Sequence, residues 1–190
     1  MATGLKLEAI VLAAGLGTRF GGGKLTAPYA GGRLIDGALA AAKAAPVRGV
    51  SVVTGADPKV AGSVEGARVI RAEHYANGLS ASLRAGIESL LADCEGVFVF
   101  LGDMPRIPHA VLRPLADALP GHDAAAPVWD GQRGHPVLIA KALFPKLLTL
   151  TGDQGAGAVL AALGERLALV QAPDDGVLFD VDAPLRPLHE

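Results

Sequence analysis

Residues 11–25, V-L-A-A-G-L-G-T-R-F-G-G-G-K-L, place two alanines, five glycines, an arginine and a lysine directly after an apolar stretch broken only by Glu8. Glycine allows positive φ and carries no Cβ to hold a ligand away, so backbone N–H groups at Ala14 to Thr18 can converge on anionic oxygens. Arg19 adds a planar fork of donors and Lys24 a mobile point charge. The chemistry implied is the grip of a phosphate chain, and two commoner grips are excluded. A P-loop needs a glycine where Thr18 stands and a Ser or Thr where Leu25 follows Lys24. A dinucleotide fingerprint needs glycine at Phe20 and an acid about twenty residues on; the next apolar run, 49–54, reaches Asp57 at roughly twice that distance.

Three further groups carry chemistry. The run V-F-V-F-L-G-D-M-P, residues 97–105, ends an apolar strand on Asp103, with Pro105 preventing its continuation. A carboxylate there lies at the edge of a parallel sheet where ligands bind, positioned to hold a cation. Magnesium fits, because it takes one or two carboxylates plus substrate phosphates and keeps several waters. In V-L-F-D-V-D-A-P, residues 177–184, Asp180 and Asp182 alternate with apolar side chains, so an extended segment puts both carboxylates on one face, where a cation relieves their repulsion. Finally, A-N-G-L-S-A-S-L, residues 76–83, sets Asn77 and Gly78 before a helix start bearing Ser80 and Ser82. Hydroxyls there cap the helix or read a base edge, and for Ser82 both remain open.

Positioning these groups requires alternating strands and helices. Apolar runs at 7–12, 49–54, 68–71 and 96–101 read as buried strands, and 34–45 and 80–92 have helical spacing. This βαβαβ order implies an α/β fold with a mostly parallel sheet and helices on both faces. The second half predicts helices at 108–119, 141–148 and 154–163 and strands at 124–128, 136–139, 167–171 and 177–181, with Asp153 as N-cap of the 154–163 helix. At 190 residues, without a repeat or a long Pro/Ser-rich linker, one domain is expected. Hydrophobic residues make up 51% and aromatics only 4%, which suits aliphatic strands under alanine-rich helices. A net charge of −2 gives no reason to expect nucleic acid or a membrane surface as partner. No apolar run reaches the ~20 residues of a membrane span and no signal-peptide pattern opens the chain, so a cytoplasmic protein is expected. Cys94, the only cysteine, lies between Asp93 and Glu95, which disfavours a thiolate. Neither zinc-type Cys/His spacing nor a serine-hydrolase elbow is present.

The loop resembles the L-A-A-G-x-G-x-R-x-G-x-x-K signature of the MobA-like nucleotidyltransferases, and is similar to their molybdenum cofactor cytidylyltransferase branch. Four more elements match in order: the helix start resembles G-x-x-S-S-L, G-D-M-P carries Asp103, Gly134, His135 and Pro136 lie in a G-x-P-V-type turn, and residues 180–184 resemble D-x-D-T-P with Ala183 in place of threonine. The resemblance implies a Rossmann-like three-layer fold of the nucleotide-diphospho-sugar transferase type, with about 1–105 binding nucleotide and about 106–190 binding the acceptor. It further implies that Leu12, Ala13, Ala14, Gly15, Gly17, Thr18, Arg19, Lys24, Asn77, Gly78, Ser80 and Ser82 bind CTP or another NTP, and that Arg19, Lys24 and Asp103 are catalytic. Asp103 and Asp182 would hold Mg2+, with Mn2+ as a substitute, and Gly134, His135 and Pro136 would face the acceptor; for His135 a phosphate contact and a purely structural turn both stay open. The implied reaction moves CMP from CTP to molybdenum-molybdopterin, releasing pyrophosphate, with a molybdoenzyme or its chaperone receiving the product. A guanylyltransferase, a cytidylyltransferase acting on a sugar or polyol phosphate, and a cofactor-delivery domain without turnover are the alternatives. Gly157 stands where the family's G-D-x-G-A-R carries arginine, so a substrate-phosphate contact from that position is missing.

Overall fold

The computed structural model describes residues 4–15, 22–55 and 57–182. Strand β1 (Leu7–Ala13) is fully buried and lies between two parallel neighbours. After it a two-residue hairpin, β2 (Pro28–Tyr29) and β3 (Gly32–Arg33), leads into α1 (Leu34–Ala44). Then come β4 (Val50–Thr54), α2 (Pro58–Gly62), β5 (Arg68–Arg71), α3 (Leu79–Glu88) and β6 (Gly96–Leu101). The second half holds α4 (Leu112–Ala118), β7 (Ala124–Trp129), β8 (Gln132–Arg133), β9 (Val137–Ala140), α5 (Phe144–Leu148), α6 (Gly157–Ala161) and β10 (Leu167–Gln171).

The main sheet runs β10-β7-β9-β6-β1-β4-β5, with β8 folded back on β7. Strands β6, β1, β4 and β5 are mutually parallel, as are β10 and β7, whereas β9 is antiparallel to both β6 and β7. Side chains alternate across the sheet and bury two cores. On one face Leu7, Ala9 and Val11 pack with Ile35 and Ala38 of α1 and Leu112 and Leu115 of α4. On the other, Ile10 and Leu12 meet Leu83 and Ile87 of α3, Leu147 of α5 and Leu160 of α6. The result is the expected three-layer α/β/α arrangement.

Glu8, the break in the first apolar run, is buried at the end of the sheet away from the glycine loop. Arg48 and Arg68 donate to its two carboxylate oxygens at 3.0 and 3.2 Å, and the Leu91 amide donates at 3.1 Å. A buried charge so satisfied can sit inside a strand. Cys94 is buried as well, its Sγ donating to the Gly96 carbonyl, and burial pushes its thiol pKa up, in keeping with a structural cysteine.

Five expected elements differ, among them the helix expected over 141–148, which opens as a 3-10 turn, Lys141–Leu143, before α5. The helix expected over 80–92 ends at Glu88, where the Ser89 hydroxyl donates back to the Gly86 carbonyl and closes the last turn. That expected over 108–119 is a 3-10 turn, His109–Val111, before α4. The 154–163 helix shrinks to α6, capped by Ala156, because Gly155 and Gly157 weaken its first turn; Asp153 is therefore not its N-cap. Instead of a strand over 177–181 there is a 3-10 turn, Asp175–Val177, opened by the Asp174 side chain accepting from the Gly176 amide, and then irregular chain. Local side-chain bonding of this kind competes with a ladder that no neighbouring strand offers here.

Candidate functional site

A cavity of about 600 Å3 opens at the carboxyl ends of β1, β4 and β6. Leu12, Ala13, Ala14 and Gly15 form the β1 side, Leu101 and Asp103 the β6 side, and Gly78, Leu79 and Ser82 the wall made by the start of α3. Parallel strands place ligands there because their loops diverge beyond the sheet's carboxyl edge.

Asp103 is held by backbone. The Gly102 amide donates to the Leu12 carbonyl at 3.0 Å, extending the β1–β6 pairing one step past the strand. Gly37, inside α1, lets that helix press on the loop, since a Cβ there would overlap the Pro105 carbonyl. Lys24 begins a 3-10 turn, Lys24–Thr26, after Gly23, whose φ of 64° suits glycine. Its ammonium lies 2.9 Å from Asp103 Oδ2 and 3.6 Å from Asp182 Oδ1.

Asp182 arrives by a strap of irregular chain, residues 174–182. The Val181 amide donates to the Asp103 carbonyl at 3.1 Å, and the His135 amide donates to the Val177 carbonyl at 2.8 Å. Arg106 lies over the Phe179 ring at 4.5 Å and pairs with Asp175 at 3.2 Å. Gly176 and Gly134 permit close approach, since a Cβ on either would overlap the carbonyl oxygen of Arg106 or Val177. Among the described ion pairs Asp182 reaches Lys24 and Asp180 enters none. No strand forms over 177–181, so the shared strand face expected for the two aspartates is absent, and the strap brings Asp182 to Lys24.

The two carboxylates converge on one cation, so their donor set fits magnesium or manganese. Among the described residues no group of three or more His, Cys, Asp or Glu side chains assembles. A site of two carboxylates whose other positions go to phosphate and water suits hard oxygen-seeking ions.

Gly17, Thr18 and Arg19 lie outside the described residues. Ser82 faces the cavity, but Ser80 and Asn77 do not line it. The Ser80 hydroxyl and amide both donate to the Gly152 carbonyl, at 2.7 and 3.1 Å, and pin the 152–153 loop onto α3. That loop delivers Asp153 to the cavity wall. Sequence reasoning also missed Asp57 and Tyr75. Asp57 Oδ1 accepts from the Lys59 amide at 2.9 Å, and its buried Oδ2 has no partner among the described residues. The Asp-Pro pair directly after an apolar strand was the available signal, an N-cap placed at the sheet's ligand edge.

Gly134, His135 and Pro136 stand outside the cavity, beneath the strap. Burial lowers the His135 pKa from its ordinary 6.5, only partly offset by the Val99 carbonyl and the Asp103 carboxylate, and its buried Nδ1 has no partner among the described residues. The folded protein therefore keeps this ring neutral where the unfolded chain binds a proton. The stability so contributed is complete above 6.5 and is lost as pH falls below it. Urea midpoints measured between pH 7.5 and about 5 should fall, and His135→Asn should flatten that slope. An unchanged slope would remove His135 as its source.

A three-layer fold with a glycine-rich first loop and paired aspartates at its ligand edge defines a nucleotidyltransferase. The chain belongs to the MobA-like NTP transferase domain family, whose model matches residues 9–167. It is 25% identical to the molybdenum cofactor cytidylyltransferase of Escherichia coli K12, over 94% of this chain and 92% of that protein. The crystal structure of Rv0371c from Mycobacterium tuberculosis superposes with a TM-score of 0.85 at 25% identity, covering 95% of this chain and 94% of that one. A manganese complex of Rv0371c gives 0.76 at 22%, covering 88% of each. A nucleotidyl transferase from Methanothermobacter gives 0.77 at 25%, covering 95% and 93%.

Proposed function

We propose that this protein transfers CMP from CTP to the phosphate of molybdenum-molybdopterin, releasing pyrophosphate and forming molybdopterin cytosine dinucleotide. The observation that carries the reading is Asp103 and Asp182 converging on Lys24 beside a cavity that Ala13, Ala14, Gly15 and Gly23 help to line. The likeness to the E. coli cytidylyltransferase along nearly the whole chain supports the base and the acceptor.

In this reading the β1 loop amides and Lys24 neutralise the β- and γ-phosphates, and the α3 wall with Ser82 faces the base. Asp103 and Asp182 would hold magnesium or manganese, which would supply Lewis-acid stabilisation of phosphate charge. An oxygen of the acceptor phosphate attacks the α-phosphorus in line, and the bond from that phosphorus to the bridging oxygen of pyrophosphate breaks. Asp103 and Lys24 act by positioning and by charge, and no protein nucleophile is required. The nucleotide half, about residues 1–105, and the acceptor half, about 106–190 with Gly134 to Pro136, belong to one domain. No helix among the described residues is long and apolar enough to cross a membrane, and together with the single buried cysteine this supports a cytoplasmic site of action.

Thermal shift with CTP, GTP, ATP and UTP, each with magnesium, tests the base, and CTP should give the largest rise. Pyrophosphate release should then depend on added molybdenum-molybdopterin. A response to GTP alone identifies a guanylyltransferase, and release driven by a sugar or polyol phosphate replaces the acceptor.

A further inference from the structure

The Lys24 ammonium stands between the two carboxylates that the reading above assigns to a divalent cation. Asp103 and Asp182 lie no farther apart than the 2.9 and 3.6 Å Lys24 contacts laid end to end, and their like charges need a cation between them. Lys24 and Asp103 are the sheltered partners, with side chains 14% and 29% exposed, so salt screens this pair less than a surface bridge. Lys24 also lines the cavity, where a triphosphate gives its ammonium somewhere else to go.

We propose that Lys24 is the resident counter-ion of the Asp103 and Asp182 pair, released only when a nucleoside triphosphate draws its ammonium away, so that divalent metal binds tightly only together with nucleotide. Metal offered alone must displace an ammonium that no phosphate receives. Metal offered with a triphosphate exchanges one ion pair for another: Lys24 moves from carboxylate to phosphate oxygen, and the carboxylates keep a cation throughout. Lys24 thereby couples the two ligands, and by linkage each tightens the other by the same factor. The proposal rests on the cavity being a nucleotide site.

Manganese binding followed by electron paramagnetic resonance, in which free aquated Mn2+ is counted directly, tests this without turnover. Lys24→Met should bind Mn2+ alone at least about fivefold more tightly than wild type, the low end of ordinary coupling between ligands. Lys24→Arg, which keeps the charge, should bind it as weakly as wild type, and Lys43→Met, a lysine that does not line the cavity, should not change it. CTP should tighten Mn2+ binding more in wild type than in Lys24→Met. Equal Mn2+ affinity of wild type and Lys24→Met without nucleotide overturns the proposal even if CTP binds. Failure of wild type to bind any of the four triphosphates overturns the nucleotide reading itself, and the metal-only titrations keep the two failures apart.

Discussion

Asp103→Asn lowers pyrophosphate release by about 10³-fold or more while the protein stays folded. The substitution preserves shape and removes one negative charge at the place where the proposed reaction needs a cation held against the α-phosphate. Losing a single preorganised electrostatic contact costs on the order of 10²–10³ in turnover, and a poorly held metal adds to that. Stability changes little, because the loop is tied by main chain, through Gly102 to Leu12 and Val181 to Asp103, which the substitution leaves intact. The Lys24 bond that is lost is partly exposed and contributes within about 1 kcal/mol. Asp182→Asn should cost less, roughly tenfold, since that side chain is 68% exposed and farther from Lys24. Steady-state pyrophosphate assays beside thermal melts separate the two effects. Wild-type turnover in Asp103→Asn would end the mechanism.

The second large effect comes from a residue that touches no ligand. Gly37→Ala adds one methyl group where α1 meets the Pro105 backbone, and main chain cannot move aside as a side-chain tip can. Overpacking of this kind reaches about 3 kcal/mol at its upper end, equivalent to a fall of roughly 6–12 °C in Tm for a chain of this size. In an exposed helix interior the same change would stabilise by up to about 1 kcal/mol, so even the sign identifies the contact. Because Pro105 lies two residues after Asp103, relief of the clash displaces Asp103, and turnover in the proposed reaction falls along with stability. A raised Tm in differential scanning calorimetry would show that α1 does not press on the loop.

Local physics made much of the first half of the chain legible. Strand β1 and the runs ending at Thr54 and Leu101 were readable because strands buried on both faces are continuous apolar segments, and their alternation with helical spacing admits few topologies; β5, expected as a buried strand over 68–71, is instead a mostly exposed strand at the sheet's edge. Asp103 was readable because proline stops a strand at a known edge of such a sheet. Strand β9 was visible as an apolar run, yet its direction was not: an antiparallel strand buried on both faces has the same pattern as a parallel one. Asp153 looked like a cap because its neighbours in sequence formed a helix start, whereas its position is set by Ser80, far away in the chain, donating twice to Gly152.

The sequence by itself determined the α/β class, the glycine-rich composition of the segment after β1 and the residue types at the sheet's carboxyl edge, because each follows from periodicity, glycine content and charge within a few residues. Only the tertiary structure decided that Asp182 rather than Asp180 meets Lys24, that Ser80 serves a loop while Ser82 faces the cavity, and that Gly37, Gly134 and Gly176 are contact points. Those outcomes depend on one backbone approaching another from a distant part of the chain. The absence of a Cβ permits such an approach, but it does not say which partner will make it.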